Sequence, residues 1–244
     1  MLDILYRDPY LIAVHKPAGL LVHRSHVDVH ASENCMAILR DQIGQWVYPV
    51  HRLDRPVSGV LLFALDSEIA RRMGAAFLAH ETRKTYLALV RGHCKDKDII
   101  DYPLKEELDQ ATDARANPDP PAKPAVTEYT CLSKVEIPEP VGRYPSARYS
   151  LVSLHPITGR KHQLRRHMKH IFHPIVGDTT HGDGCHNRFF RDRMSSNTLM
   201  LAATGLEFPH PLNEERLFIQ SQPDAAFLQT LSKIGLTAAP PTRP

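Results

Sequence analysis

One uninterrupted apolar run, GVLLFAL at residues 59–65, restricts the fold more than any other feature of the sequence, and it directly follows the polar loop HRLDRPVS. A strand with one face in water alternates apolar and polar residues. A strand with no polar position must be covered on both faces. The run is far too short to span a membrane and is bounded by turn residues, so it reads as a buried strand. Covering it on both sides needs a sizeable chain. At 244 residues and 42% apolar composition the material is present, and wholesale disorder is excluded.

Other segments fall into place around this strand. ILY (4–6) and LIAV (11–14) are short β-prone runs separated by the turn-like RDPY. KTYLALVRG (84–92), AVTEYTCL (125–132), ARYSLVSLHP (147–156) and LMLAATGLEF (199–208) read as further strands. Helices are expected at 32–43, after a cap at Asp66 or Ser67, at about 161–171, and at 224–234. Several strands are paired by short turns with no helix between them. The expected fold class is therefore α+β, with a large, mainly antiparallel mixed sheet flanked by helices and loops, rather than a doubly wound fold.

Eight of the 20 prolines lie between 101 and 145, and residues 105–119 carry five acids against two bases. About 105–124 is thus expected to be an exposed, Pro-rich acidic excursion, too short to be a domain. The expectation is a single domain over 1–235 and a disordered tail over 236–244. No run is long enough for a membrane helix, and the start MLDILYRDPYL lacks the features of a signal peptide, so a cytoplasmic location is expected. The four cysteines are dispersed with no CxxC, which suits free thiols.

Two segments could carry chemistry. HRLDRPVSG (51–59) sets His51, Arg52, Asp54 and Arg55 on a loop made rigid by Pro56, with Gly59 permitting close approach. Asp54 is either a functional carboxylate or the partner of Arg52 or Arg55 in a surface ion pair. His51 reads as a structural hydrogen-bonding residue, because no nucleophile motif accompanies it. The stretch 159–173 holds five cations (Arg160, Lys161, Arg165, Arg166, Lys169), four histidines and no acid. On a helix, Lys161, Arg165 and Lys169 would share one face, with Leu164, Met168 and Ile171 turned to the core. That face is either solvated or a phosphate-binding surface; its local charge fits RNA better than the net charge of +3 does. His167, His170, His173, His181 and His186 match no metal-ligand pattern, so no metal site is expected.

Together, KPAGLLVH, HRLDRPVSGVLLFA, KTYLALVRG and GRKHQLRRHM…HPIVGD resemble the ordered motifs of the RluA family of pseudouridine synthases, from about residue 3 to residue 220. LVHRS, DQIGQ, DYPLKEELD, PAVTEY and GRYPSARY further resemble the branch that acts on uridine 65 in the T stem of tRNA. The resemblance implies isomerisation of uridine to pseudouridine without a cofactor. It implies Asp54 as the catalytic aspartate, Tyr86 as the tyrosine that packs on the base, and Arg165 as the arginine that pairs with the carboxylate. It implies Arg52 as the residue that fills the stack when the uridine is turned out. With the charge pattern, it gives Arg52, Arg55, Arg160, Lys161, Arg166 and Lys169 as RNA contacts.

Val57 departs from the threonine common in the wider family, which touches a local hydrogen bond and no catalytic role. No S4-type extension is expected before the catalytic region. Neither a membrane nor an obligate protein partner is implied, and a monomer is expected. Direct attack by the carboxylate and a glycal route both stay open. Two other readings stand beside this one: a pseudouridine synthase acting on ribosomal RNA, and a non-catalytic RNA-binding module. A metal-dependent hydrolase built on the histidines is a more distant third.

Overall fold

A computed structural model describes residues 1–23, 33–107 and 119–238. The apolar run forms β4 (Ser58–Ala64), and every one of its residues is buried. Its neighbours are β2 (Leu11–Lys16), which is antiparallel, and β9 (Leu201–Pro209), which is parallel. Beyond β2 lies β1 (Asp3–Arg7). Beyond β9 lie β5 (Arg83–Arg91), β8 (Ala147–Pro156), β7 (Val126–Ile137) and β6 (Lys97–Asp101). The order is β1-β2-β4-β9-β5-β8-β7-β6, with β10 (Arg216–Gln220) on β9 and the short β3 (Tyr48–Pro49) on β4. Every strand pairing except β4 with β9 is antiparallel, so the mixed, mainly antiparallel α+β sheet is as expected.

Period-two alternation turns successive residues of β4 to opposite faces, and both faces are covered, which is why Ser58 at its start is its one polar residue. Val60, Leu62 and Ala64 join Leu11, Ala13, Leu206 and Phe208 in one cluster, sealed by Ile69 and Met73. Leu61 and Phe63 join Ile12, Val14 and Leu39 in a larger cluster on the opposite face, which extends to Leu164, Met168, Phe189, Phe190 and Phe227. Five helices supply these covers: α1 (Cys35–Ile43), α2 (Ser67–Leu78), α3 (Gln163–His170), α4 (Gly184–Met194) and α5 (Ala225–Lys233). Of the two candidate caps for α2, Asp66 performs the role, accepting the Ile69 N–H at 2.8 Å. None of the helices among the described residues is long and apolar enough to cross a membrane.

Gly59 makes the parallel pairing possible. It sits at φ +119°, and a Cβ there would lie 2.0 Å from the carbonyl oxygen of Ala203 on β9. The close approach expected at this glycine is thus to the backbone of the neighbouring central strand.

Three expectations need correction. Helix α3 begins at Gln163, so Lys161 precedes it, and Arg165 is buried rather than sharing an exposed face with Lys169. The base of the acidic excursion is tied down: Leu104 pairs with Lys123, and Glu107 is drawn onto α3, because cations there offer it partners. Residues 108–118 lie outside the described residues. The tail expected from 236 starts on a buried Leu236, whose N–H bonds the Leu231 carbonyl; residues 239–244 lie outside the described residues.

Candidate active site

Loop 50–57 leads from β3 into β4 and carries Asp54 to the N-terminal end of that central strand. The loop is held by backbone and buried charge rather than by its own side chains alone. The Val57 N–H donates to the Asp54 carbonyl at 3.0 Å, and the Arg55 carbonyl accepts from Gly19 N–H at 2.8 Å. Lys16, fully buried, donates to the carbonyls of Pro17, Leu20 and Arg55 at 2.9, 2.8 and 3.0 Å. Burial pushes its pKa down to about 8, and these carbonyls compensate the ammonium. Arg55 Nε returns the contact to Gly19 O at 3.0 Å. The KPAG turn and the HRLDR loop are therefore one unit, propped from below by Asp224, which accepts the Ala18 N–H at 3.0 Å.

His51 is structural, as the sequence suggested. Its Nε2 accepts the Leu62 N–H at 3.1 Å, its ring stacks on Phe77, and burial drives its pKa to about 3, so the imidazole is neutral. Val57 is buried in the larger core cluster.

In place of a surface pair with Arg52 or Arg55, Asp54 has Arg165 as its guanidinium partner, whose Nη1 donates to Asp54 Oδ2 at 3.2 Å. The same guanidinium is fixed from behind by Asp178: Nε donates to Oδ2 at 2.7 Å and Nη2 to Oδ1 at 2.8 Å. Such a fork matches a carboxylate in plane and holds the arginine in one orientation. Asp178 Oδ1 also accepts the N–H groups of Thr180 and His181, both at 2.9 Å. Burial opposes ionisation of Asp178, but the Arg165 bonds and the His181 and Thr180 N–H groups outweigh it, and its pKa lies below the usual range. Burial likewise opposes the charge on Arg165, and Asp178 followed by Asp54 reverses that effect. The Asp178 side chain has 0% exposure and Asp54 has 31%, so one carboxylate anchors the arginine while the other faces the opening.

Behind Asp178 stands a helix absent from the sequence reading. Asn187 of α4 accepts the Gly177 N–H at 2.8 Å and donates to the Asp178 carbonyl at 2.7 Å.

Tyr86 arrives from β5. The register aligns Gly59 with Ala203 and Ala203 with Tyr86, so the mouth of β4, a small residue on β9 and this tyrosine form one row. Tyr86 is half-buried; burial, then the negative charge of Asp54, push its phenol well above the ordinary range and keep it neutral. The three residues expected to act together, Asp54, Tyr86 and Arg165, thus converge from three separate elements.

The expected RNA contacts are distributed differently. Arg52 is exposed at the lip of the loop, and Lys169 is exposed on α3. Arg160 is exposed and donates to the Pro124 carbonyl at 3.1 Å. Lys161 donates to the Glu107 carbonyl at 3.0 Å, and Arg166 lies 3.4 Å from the Glu107 carboxylate. His162 meets the other carboxylate oxygen at 2.9 Å through Nδ1 and faces Asp54 at 3.8 Å through Nε2. His181 lies 3.2 Å from His162 and 3.6 Å from Glu107. Glu107, His162 and His181 present donor atoms within 4.8 Å of one another, the one such group among the described residues that could hold a metal ion. The surrounding Arg165, Arg166 and Lys161 make that position unfavourable for a cation. The other histidines scatter: His167 bonds Thr127 Oγ1 and the Tyr102 carbonyl, His173 donates to the Arg91 carbonyl, and His186 bonds the Tyr149 hydroxyl.

Lys16, Asp178, Glu107, His162 and His181 were given no role from sequence. Lys16 and Asp178 stand inside KPAG and HPIVGD, two of the blocks already singled out, and a buried charge in a Gly–Pro turn was the available signal.

A family model described as RNA pseudouridylate synthase matches residues 10–170. The chain is 54% identical over 235 residues to the tRNA pseudouridine synthase C of Vibrio cholerae serotype O1, covering 96% of each. It is 53% identical over 231 residues to that of Pasteurella multocida, covering 95% of each. Among solved structures it resembles Human RNA Pseudouridylate Synthase Domain Containing 4 (TM-score 0.72, 26% identity, 97% of this chain and 94% of that one). Human RNA Pseudouridylate Synthase Domain Containing 1 is similar to it as well (TM-score 0.70, 26% identity, 93% and 87%).

Proposed function

The chain belongs to the RNA pseudouridylate synthase family, and from that membership we infer that it isomerises uridine to pseudouridine in tRNA, with uridine 65 of the T stem as the target. The observation that carries this reading is the Asp54–Arg165–Asp178 relay, which presents one carboxylate, held by a buried arginine, at the mouth of the central strands beside a neutral tyrosine.

The reaction breaks the N1–C1′ bond of uridine and rejoins the base through C5, with no net redox change. A carboxylate suits it, either as nucleophile or as the group that stabilises positive charge developing at C1′. Arg165 keeps Asp54 in one position by spending its two strongest bonds on Asp178 and only a longer one on Asp54. Asp54 can therefore exchange part of that contact for the substrate without losing its orientation. Tyr86 supplies a flat apolar face for the base. Turning a base out of a stem costs a few kcal/mol. Arg52, exposed two residues before Asp54, would fill the gap, while Arg55, Arg160, Lys161, Arg166 and Lys169 would contact phosphates. A tRNA substrate supports a cytoplasmic location for the enzyme.

The decisive experiment incubates the purified protein with unmodified tRNA and maps pseudouridine by carbodiimide-dependent primer stops. A stop at position 65 in the T stem is expected, and Asp54→Asn should abolish it while tRNA binding persists. Stops confined to ribosomal RNA, or full activity of the Asp54→Asn protein, would overturn the assignment.

A further inference from the structure

Glu107 sits where nothing in the isomerisation calls for a carboxylate. It is the one acid of the excursion, among the described residues, drawn against the active site, and its partners are all groups that recognise anions. His162 Nδ1 lies 2.9 Å from one oxygen; Arg166 Nε and His181 Nε2 lie 3.4 and 3.6 Å from the other. Lys161 holds the backbone carbonyl of the same residue at 3.0 Å. The donors come from two separate segments, the start of α3 and the turn after Asp178, so their convergence is built by the tertiary fold rather than by one helix.

His162 lies immediately before α3, in the left-handed region with φ +54° and ψ 24°, and its side chain caps no helix N–H. That conformation sets the ring between two anions, Glu107 on Nδ1 and Asp54 at 3.8 Å on Nε2. Only one imidazole therefore separates the Glu107 carboxylate from the catalytic one. The surface beyond continues as an open depression lined by Arg166, His181, Lys169 and Tyr102.

We propose that His162, Arg166 and His181 form a binding subsite for a phosphodiester of the substrate strand, next to the turned-out nucleotide, and that Glu107 occupies this subsite until RNA displaces it. The inference rests on the RNA-substrate reading above. A phosphodiester carries the same single negative charge as the carboxylate, so the exchange leaves the charge of the site unchanged. Glu107 is 32% exposed and makes one contact of hydrogen-bond length, with two longer ones, so it is a weak competitor of the kind exposed ion pairs are.

Two measurements test this. In the first, KM for unmodified tRNA is compared for the wild type, Glu107→Gln, Arg166→Ala and the double variant. Removing the competing charge should lower KM by about three- to tenfold, and that gain should vanish when Arg166 is already absent. A Glu107→Gln protein with unchanged or higher KM, or a gain that survives without Arg166, would overturn the proposal. In the second, the imidazole resonances of His162 and His181 are followed during titration with inorganic phosphate. They should respond at lower phosphate in Glu107→Gln than in the wild type. No response in either protein, or stoichiometric zinc uptake by the wild type that Glu107→Gln abolishes, would refute an anion site. Failure of the wild type to modify any tRNA would strike the function instead, and the phosphate titration would still decide on the subsite.

Discussion

Asp178→Asn tests the central claim that catalytic placement of Asp54 is determined by a carboxylate that never meets the substrate. The substitution preserves shape and removes one charge. Asp178 Oδ2 accepts Arg165 Nε, and Oδ1 accepts Arg165 Nη2 together with the N–H groups of Thr180 and His181. An asparagine amide must place its NH2 at one of these positions, and at either it faces a donor. The less damaging rotamer loses the 2.7 Å bond and leaves Arg165, 6% exposed, with one bond of the fork, the 2.8 Å one from Nη2, and the 3.2 Å contact to Asp54, now its only charged partner of the two. Breaking a buried ion pair by removing one partner costs about 3–5 kcal/mol. For a chain of this size each kcal/mol lowers Tm by roughly 2–4 °C, so a fall of about 6–20 °C is expected. Arg165, held from behind by one neutral bond instead of a charged fork, shifts toward Asp54, and displacement of a reacting group by about 1 Å costs on the order of a hundredfold in rate. Both quantities are accessible: Tm by calorimetry, and single-turnover conversion of tRNA at a temperature below the lowered transition. A protein with Tm within 2 °C of wild type and a rate within about twofold would refute the relay.

Three further outcomes follow from the same structure. Gly59→Ala would press a methyl against the Ala203 backbone at 2.0 Å, so the variant should be destabilised by more than about 3 kcal/mol or fail to fold, measured by denaturant titration. His51, with a folded pKa of about 3 against an ordinary value of 6.5, stays neutral while the unfolded chain takes up a proton. Its contribution is therefore complete above pH 6.5 and is lost as pH falls toward 3, at up to about 1.4 kcal/mol per pH unit; His51→Gln should flatten that limb of the stability curve. Arg52→Ala, at an exposed position, should lower single-turnover conversion by about ten- to a hundredfold with Tm unchanged, because the gap left by the turned-out base is no longer filled. A parallel loss of Tm would make Arg52 a structural residue instead.

How much of this could be read from the sequence depends on whether the cause was local. GVLLFAL announced β4 because burial on both faces leaves no polar position, and ARYSLVSLHP matched β8 to the residue for a related reason. Strands β6 (KDIID) and β10 (RLFIQ) were missed because they are five residues long and flanked by polar residues, and what makes them strands is pairing to β7 and β9. Helix α4 was missed because GCHNRFFRDRM shows its apolar residues as a pair rather than a stripe, although Phe189 and Phe190 are both buried. At the site, the motifs pointed to Asp54, to Tyr86 and to Arg165 as the carboxylate's partner, and the structure pairs Arg165 with Asp54. The placement of Arg165 was misjudged by helical spacing, because the acid that explains its burial lies 13 residues along the chain, beyond the window whose charge was counted.

That misjudgement shows why a net charge of +3 says little about where the proposed RNA surface lies. The cationic segment is not one field, since its members are matched to carboxylates at different depths. Asp178, wholly buried, holds Arg165 permanently, because releasing it would strand a charge away from water. Asp54, about one-third exposed, keeps its arginine while its outer face stays open to substrate. Glu107, equally exposed but tied to α3 mostly by longer contacts, is the one proposed to leave when another anion arrives. Depth thus sorts three carboxylates into an anchor, the proposed reacting group and the proposed placeholder. Counting charges along the chain treats all three alike, which is why the sum reveals so little. Replacing the placeholder should alter affinity for RNA, replacing the reacting group should alter turnover, and only replacing the anchor should alter both turnover and the stability of the fold.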